Sequence, residues 1–559
     1  MADYRAPGLY LESVTPPDQP VNPLRTDIAG FVGLAARGPV GRAVAVTNRE
    51  QCERIFGGPV TGLYLAHAAR GFFAGGGQLL YMVRVTNDAR TASLDLPGGL
   101  TVSAGSPGAW ANGLKAAVTP ARRGAARATA WAYGGDWTEV DATTGFAPGS
   151  VVGVSGVTAV VDRLDGRRIT WREPVAPVPA VGALLETREF HLRLQLGEAA
   201  EEFRFLGVDP AHPRYYGRAV SSAWVVLAGA PAVPPTGTGA LQGGTDGLSG
   251  LSMTHFADGL RALETLPEVS VVAVPDICAR EPVLVRPGVV RAGSPLLSEL
   301  EQEALRDALT DHCEQLADRF ALIDPPPDLD PQSLMDWREG RDSKFAAVYY
   351  PWFLVTDPSG PPGSTVWVPP SGHMAGIYAR TDLTEGVHRA PANVVVPGVL
   401  ALARAIREAD QAQLNPVGIN CLRLVTGQGV KVWGARTLSS DPTWRYVPVR
   451  RLMTMVEKAI VEATPWAVFE PHTLKLRFQI INALSTFLEE LWRRGALAGA
   501  TPTEGFYIKC DDEINTPDVI DAGMLVTEVG LAPARPAEFI VVRLERSRDA
   551  VQVREVELR

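Results

Sequence analysis

The first residues of the chain form a strand-like segment that prolines separate from everything that follows. In the stretch RAPGLYLESV, Leu9 and Leu11 alternate with Tyr10 and Glu12, as in a half-buried strand. The next stretch, TPPDQPVNP, has prolines at positions 16, 17, 20 and 23, which exclude both a helix and a central strand. If extended, residues 4–26 span up to roughly 70 Å at about 3.3 Å per residue. The strand can therefore pair within its own chain or with a neighbouring molecule, and the pattern alone does not decide between them.

The net charge of the chain argues against nucleic acid as a partner. The 559 residues carry a formal charge of -9, and a nucleic-acid-binding protein presents a basic field. Five widely spaced cysteines predict neither a disulfide framework nor a zinc site, and no cofactor is expected. The sequence contains no signal-peptide pattern and no apolar run long enough to span a bilayer. We therefore expect synthesis in the cytoplasm, no export by a signal peptide and no membrane insertion.

The remaining sequence alternates between helix-like and strand-like segments, which predicts an α/β (α+β) multidomain fold. Residues 25–97 and 237–400 have the α/β pattern, with a helix cap at Asn48 and a capping box formed by Ser298 and Glu301. Residues 98–236 contain short alternating runs, with Asp165 and Gly166 at a hairpin turn, and predict an inserted, mostly β domain. Residues 401–535 are predicted to form a C-terminal α/β domain. Residues 1–24 and 536–559 are predicted to be terminal strand segments.

Two amphipathic helices are predicted in the C-terminal part, each with one apolar stripe. The stripe of the first helix contains Leu452, Met455, Val456, Ala459 and Ile460. The stripe of the second helix contains Leu474, Phe478, Ile481, Leu484, Leu488 and Leu491. Arg493 and Arg494 complement the dipole at the C-terminal end of the second helix. The chain ends with PAEFIVVRLERS, another strand-like run that follows prolines.

Catalytic and metal-binding patterns are scarce. The sequence has no phosphate-binding loop, nucleophile elbow or H-E-x-x-H motif. His373, with Asp382 nearby in sequence, is the best catalytic candidate, but a single histidine without a partner does not make a site. Asp511, Asp512, Glu513 and Asp518 form an acidic run that lacks the ligand order and central glycine of a calcium loop, so a solvated turn is favoured. No catalytic residue and no metal ligand is predicted.

Long, ordered stretches of the sequence resemble the tail sheath proteins of contractile phages and of phage-tail-like contractile injection systems. The resemblance covers most of the chain and is weakest between about residues 119 and 204. It rests on these stretches: APGLYLES, TDIAGFVGLAARGPV, SPGAWANGL, GGTDGL, LPEVSVVAVPD, FAAVYYPWFLVTDP, VPPSGHMAGIYARTDLTEGVHRAPANVVVPGVL, NPVGINCLRLVTGQGVKVWGARTLSSDPTWRYVPVRRL, FLEELWRRGALAGATP and INTPDVIDAGMLVTEVGLAPARPAEFIVVRL.

The resemblance implies a structural protein without enzymatic activity. Sheath subunits of this family form a helical or ring-stacked homo-oligomer around an inner tube protein, with baseplate and tail-terminator or cap proteins at the two ends. The inserted β domain is then the outer domain, and the C-terminal domain is the inner one. Contraction shortens the sheath and drives the tube through a target envelope.

The resemblance also implies roles for particular residues. The terminal strands are expected to pair with neighbouring subunits through Gly8, Leu9, Tyr10, Leu11 and Glu12 at the N-terminus and through Phe539, Ile540, Val541, Val542, Arg543 and Leu544 at the C-terminus. The helix end at Glu490, Arg493 and Arg494 is the expected contact with the inner tube. Two alternatives remain at this stage: an α/β hydrolase-like enzyme with a β accessory domain, or a non-contractile coat or adhesion protein.

Overall fold

A computed structural model describes residues 21–286, 289–538, 541–546 and 551–556 of the chain. The N-terminal strand predicted at residues 8–12 lies outside the described residues, as do Phe539 and Ile540 of the predicted C-terminal strand. Val541, Val542, Arg543 and Leu544 lie in a strand, as the sequence predicts.

The first part of the chain has the α/β alternation that its sequence predicts. The side chain of Asn48 accepts a hydrogen bond from the N–H of Gln51 and caps the first helix, which ends before Gly57. The elements are β1 (Ala29–Gly33), β2 (Ala43–Val46), α1 (Arg49–Phe56), α2 (Leu65–Gly75) and β3 (Leu80–Arg84).

The insert is mostly β, as predicted, and contains a closed six-stranded barrel, a four-stranded sheet and a three-stranded sheet. A hairpin turn is present one residue later than predicted, with Gly166 and Arg167 between the paired residues Asp165 and Arg168. The elements are β4 (Ser93–Leu96), β5 (Leu100–Ala104), β6 (Lys115–Ala121), β7 (Ala125–Trp131), β8 (Trp137–Val140), β9 (Val151–Val154), β10 (Val157–Asp165), β11 (Arg168–Trp171), β12 (Leu184–Thr187), β13 (Glu189–Leu196), β14 (Ala199–Leu206), α3 (Tyr216–Ala219), β15 (Val225–Gly229) and β16 (Gly237–Ala240).

The α/β alternation returns after the insert. The predicted capping box is present, because the N–H of Ser298 donates to Glu301 while the N–H of Glu301 donates to Ser298 Oγ. The elements are α4 (Met253–Arg261), β17 (Val271–Ala273), β18 (Arg280–Arg286), β19 (Val289–Pro295), α5 (Glu299–Leu316), β20 (Phe320–Ile323), α6 (Pro331–Arg338), β21 (Ala346–Tyr350), β22 (Phe353–Thr356), β23 (Thr365–Val368), α7 (Ser371–Thr384), β24 (Val399–Leu402), α8 (Glu408–Leu414), β25 (Ile419–Val425) and β26 (Gly429–Trp433).

An eight-stranded sheet joins the two α/β parts in the order β2-β3-β1-β17-β20-β21-β25-β26. The six central strands are parallel, and β2 and β26 pair antiparallel at the edges. Helices cover both faces: Phe31 of β1 contacts Phe72 of α2, whereas Val32 lies beside Gly259 of α4. Because β25 and β26 belong to this sheet, the core continues beyond the predicted bound at residue 400.

The C-terminal part consists of two long helices, a two-stranded sheet and a terminal hairpin. Apolar side chains from both helices form one buried cluster with Val21, which precedes β1. The elements are α9 (Val447–Ala463), α10 (Leu474–Arg493), α11 (Pro502–Gly505), β27 (Phe506–Lys509), α12 (Pro517–Asp521), β28 (Glu528–Leu531), β29 (Val541–Arg546) and β30 (Val551–Val556).

The predicted apolar stripe is correct for α9 and partly wrong for α10. In α10 the second half of the stripe is buried, but Leu474 and Phe478 are 66% and 69% exposed. The first half instead buries Leu476, Arg477 and Ile480. Arg477 explains the error, because its guanidinium reaches Asp512 while its stem lies in the interior, a behaviour that hydrophobic periodicity does not register.

Candidate assembly site: anchored chain ends and an open sheet

The position where an α/β sheet normally binds a ligand is filled by the chain's own carboxylate. The strand order reverses at β1, between β3 and β17, and ligands of open α/β sheets bind at such a point. Asp276, just after β17, accepts hydrogen bonds there from the backbone N–H groups of Leu34 (2.7 Å), Tyr64 (2.5 Å) and Leu65 (3.2 Å). A Cβ at Gly33 would collide with this carboxylate. The carboxylate of Asp276 therefore fills the position in which a ligand would bind.

The catalytic pair suggested by His373 and Asp382 is not formed. Both residues lie on α7, and nine residues of helix separate them by about 13.5 Å along the axis. His373 is buried against Phe353, with ring centroids 5.2 Å apart, and burial lowers the pKa of His373 to about 4. The carboxylate of Asp382 is paired with Arg451. Each residue thus has a separate structural role.

The ion pair between Asp382 and Arg451 fixes the root of the N-terminal segment. Arg451 of α9 donates to the two carboxylate oxygens of Asp382 at 3.0 and 2.6 Å and to the carbonyl oxygen of Thr26 at 2.8 Å. Both side chains of the pair are 3% exposed. Burial raises the pKa of Asp382, and the neighbouring guanidinium opposes that shift. The chain entering β1 is therefore tied to α7 and α9 at one buried point.

Apolar contacts extend this anchor toward the N-terminus. Val21 is buried in the cluster of α9 and α10, and Leu24 packs against the same cluster. Ser270, which precedes β17, donates from its hydroxyl to the carbonyl oxygen of Thr26. Residues 21–26, which follow the predicted N-terminal arm in the sequence, are thus held by both the core sheet and the C-terminal helices.

A second buried arginine fixes the root of the C-terminal segment. Arg436, which follows β26, donates from Nε to both carboxylate oxygens of Glu538, at 2.9 and 3.1 Å, and also from Nη2. Its Nη1 donates to the carbonyl oxygen of Asn415 at 3.1 Å. The backbone of Arg436 is itself fixed, because its N–H donates to Asn420 Oδ1 at 2.7 Å. Hydrogen bonding to Glu538 raises the pKa of Arg436.

In the C-terminal part of the chain, β27 and β28 form a small antiparallel sheet. Phe506 pairs with Leu531 and Lys509 pairs with Glu528. The apolar side chains of both strands pack against the cluster of α9 and α10. Within the described residues, neither strand has a second strand as a neighbour. An open edge of this kind is a template for a strand from another chain.

The connection between β27 and β28 accounts for the acidic run noted in the sequence. Asn515 bridges the loop, donating to the carbonyl oxygen of Val526 and accepting from its N–H, both at 2.8 Å. Asp511 accepts from two backbone N–H groups of the same turn, and Asp512 pairs with Arg477. In the described part of the chain, no group of three or more histidine, cysteine or acidic residues is arranged to hold a metal ion.

The predicted tube-contact residues lie at the exposed end of α10. Arg493 pairs with Glu489 at 2.7 Å, and Arg494 pairs with Glu490, in both cases one helical turn apart. Such exposed pairs contribute only about 0.3–0.5 kcal/mol each to helix stability, so they are free to exchange partners. The structure brings these residues together on one surface, but it contains no partner that contacts them.

The sequence analysis missed both anchors. It assigned no role to Arg451, Arg436 or Glu538. A usable signal exists for Arg451, because it lies four residues before Met455 and therefore on the apolar stripe of α9. Glu538 lies 102 residues after Arg436, and no spacing rule connects residues so far apart.

Comparison with known protein families identifies the fold. The family model for the phage tail sheath protein central domain matches residues 293–438. The family model for the phage tail sheath C-terminal domain matches residues 439–546. This chain belongs to the tail sheath protein family. The boundary between the two matches falls between β26 and α9, where the eight-stranded sheet ends. The sheath family is structural, so the hydrolase interpretation of His373 and Asp382 is wrong.

Two relatives and one solved structure illustrate the similarity. The sheath protein is 25% identical over 248 residues to a prophage major tail sheath protein of Pseudomonas aeruginosa, covering 44% of this chain and 62% of that protein. It is 26% identical over 215 residues to the tail sheath protein of Escherichia phage P2, covering 37% of this chain and 51% of that protein. The chain therefore spans less than two thirds of the length of either relative.

The whole fold is matched by the PVC sheath complex of an extracellular contractile injection system, solved in its contracted state. The TM-score is 0.53 at 20% identity, and the match covers 98% of this chain and 99% of that one. This likeness confirms the α+β multidomain architecture of a sheath subunit. Among the helices that the structure describes, none combines the length and the apolar character needed to cross a bilayer.

Proposed function

We propose that this protein is the repeating subunit of a contractile sheath that assembles around an inner tube. Two features support the proposal: membership of the tail sheath family and the combination of open sheet edges with anchored chain ends. The particle is a phage tail or a phage-tail-like injection machine, assembled in the bacterial cytoplasm. Contraction drives the tube through a target envelope.

In the assembled sheath, the terminal arms of each copy add strands to the small sheet of neighbouring copies. The N-terminal arm carries Gly8–Glu12. The C-terminal arm carries residues 539–544, of which Val541–Leu544 lie in β29 and pair with β30 of the same chain. The acceptor is the β27–β28 sheet, whose edges have no strand neighbour in the described chain. Backbone hydrogen bonds in such a sheet depend little on side-chain identity, so the same acceptor can take different strands.

The two arginine anchors make this arrangement suitable for bearing load. A strand held in a neighbour transmits force only if its root is fixed in its own body. Arg451 fixes the first root through Asp382 and Thr26, and Arg436 fixes the second through Glu538. Breaking a buried ion pair by removing one partner costs about 3–5 kcal/mol. The arms therefore remain attached while the bodies rotate during contraction.

Other partners meet the sheath at defined surfaces. The end of α10, with Glu490, Arg493 and Arg494, contacts the inner tube through exposed charges that re-form their pairs with the tube surface. Baseplate and tail-terminator or cap proteins bind the two ends of the sheath. The insert, with its barrel, faces outward. The energy for contraction comes from additional surface buried between subunits in the contracted lattice.

Deletion of the N-terminal arm tests this function. We expect the chain lacking residues 1–20 to remain folded and monomeric, because the anchor at residues 21–26 is kept, whereas the full chain forms long tubes under negative-stain microscopy. A matched control exchanges Pro16, Pro17 and Pro20 for serine and keeps the strand. Tubes of full length from the truncated chain would show that the N-terminal arm does not connect the subunits.

A further inference from the structure

The hairpin formed by β18 and β19 exposes apolar side chains that the described chain does not cover. Leu284 is 67% exposed and Val285 is 55% exposed, while Val283 and Val290 are each 41% exposed. The two strands pair only with each other in the described residues. Since an isolated two-stranded hairpin is marginally stable in water, this element needs an additional contact surface.

The hairpin is also basic, although the chain as a whole is acidic. Its sequence contains Arg280, Arg286 and Arg291 and a single acidic residue, Glu281. The strand register pairs Val283 with Arg291 and, beyond a register shift between Leu284 and Arg286, pairs Arg286 with Val289, which places the two arginines diagonally on one face. Diagonal neighbours in an antiparallel pair lie about 7–8 Å apart. Neither guanidinium has an ion-pair partner in the described chain.

A complementary surface exists on α5. Asp307, Asp311 and Glu314 are exposed, lie at helical spacing on one side of α5 and have no ion-pair partner among the described residues. Like charges one turn apart destabilise a helix. Leu300, in the first turn of α5, is 81% exposed. The solvent-facing side of this helix thus combines unpaired carboxylates with an apolar residue. The hairpin also exposes apolar residues, but its charges are positive.

We propose that the β18–β19 hairpin of one copy docks on the exposed side of α5 in a second copy. Two carboxylates one helical turn apart lie about 5–6 Å from each other, a spacing that two diagonal arginines can match. The contact joins two different surfaces and is therefore heterologous, so it generates rings or open helical polymers rather than closed dimers. This inference rests on the proposed sheath function and adds a second, side-chain-mediated contact to the strand exchange.

Charge reversal tests the proposal. R286E/R291E and D307R/D311R each place like charges at the contact, so each double variant should raise the concentration needed for tube formation by about tenfold or more. The quadruple variant restores opposite charges, with the acidic and basic surfaces exchanged. It should form tubes at a concentration within a few-fold of that needed by the original chain. R163E/R167E, on the outer barrel, changes the net charge as much as the first variant does and should assemble normally.

Each outcome decides the question. Normal assembly of either double variant, or failure of the quadruple variant when both doubles fail, would overturn the contact while leaving the sheath function intact. Absence of tubes from the unmodified chain would overturn the sheath function and this contact with it. Circular dichroism and thermal unfolding of the monomers confirm that the variants fold, since all four positions are exposed.

Discussion

At the scale of single residues, the fold uses buried carboxylates where other α/β proteins bind ligands. Asp276 accepts the N–H groups at the start of α2, and Asp324 accepts the N–H (2.9 Å) and hydroxyl (2.5 Å) of Ser371 at the start of α7. A helix N-terminus attracts anions, and here the chain supplies them. Burial raises the pKa of both aspartates to about 7. These contacts make the core sheet a rigid body instead of a binding site.

The Asp276→Asn variant tests this assignment through the pH dependence of stability. Because the folded-state pKa lies above the ordinary value of 3.8, the folded chain binds the proton more tightly, and the free energy of unfolding falls as pH rises from about 4 to 7. Asparagine cannot ionise and places an amide against a backbone N–H. We expect the variant to be about 1–3 kcal/mol less stable at pH 5, with a smaller difference at pH 8.

Urea unfolding of the two proteins at both pH values measures this difference. Asp162→Asn is the matched control, since Asp162 is exposed, and it should show neither the loss nor its pH dependence. A difference that stays constant or grows toward pH 8 would contradict the role assigned to Asp276.

At the scale of elements, the packing of α2 on α7 depends on glycines in both helices. A Cβ at Gly376 would collide with the carbonyl oxygen of Phe72 and lie 3.0 Å from the Cα of Gly75. A Cβ at Gly372 would collide with the backbone of Ala68 in the same way. The two backbones therefore approach each other more closely than any side chain allows. This contact keeps α7 in position, and with it Asp382 and the anchor of the N-terminal arm.

Gly376→Ala should therefore force the two helices apart. We expect a loss of about 1–3 kcal/mol in the free energy of unfolding, the range for an overpacked core. Gly58→Ala serves as the control, because a Cβ at this exposed position meets nothing within 4 Å. Chemical denaturation of both variants gives the comparison, and equal stability of the two would show that the contact tolerates a methyl group.

The sequence predicts elements better than it predicts contacts between them. Asn48, Ser298 and Glu301 act within one helical turn, so local spacing was enough to identify the caps. The phase of α10 could not be predicted, because burial of Arg477 depends on Asp512, 35 residues further on. The anchors depend on still longer separations: 425 residues between Thr26 and Arg451. The resemblance to the sheath family was recognisable because it rests on long stretches in a fixed order, which requires no knowledge of these contacts.

At the scale of the whole molecule, the chain is organised to be completed by its neighbours. Buried arginines hold Thr26 and Glu538, near the two chain ends, and no third described strand extends the β27–β28 sheet. The basic hairpin and the acidic side of α5 present a second pair of complementary surfaces. In the proposed sheath, strand exchange connects the subunits while their bodies rotate, whereas the charged contact breaks and re-forms. On this proposal, the stable unit is the assembled lattice, and the monomer is its precursor.

Cross-linking between differently tagged copies tests this central claim most directly. One population carries Tyr10→Cys in the N-terminal arm, and the other carries Tyr507→Cys on β27; the five native cysteines are buried and do not compete. After assembly of the mixture and treatment with a short bismaleimide, we expect a cross-linked species that contains both tags and is absent before assembly. If tubes form without this species, and a chain carrying both cysteines cross-links only within itself, the arms fold back on their own bodies and the account is contradicted.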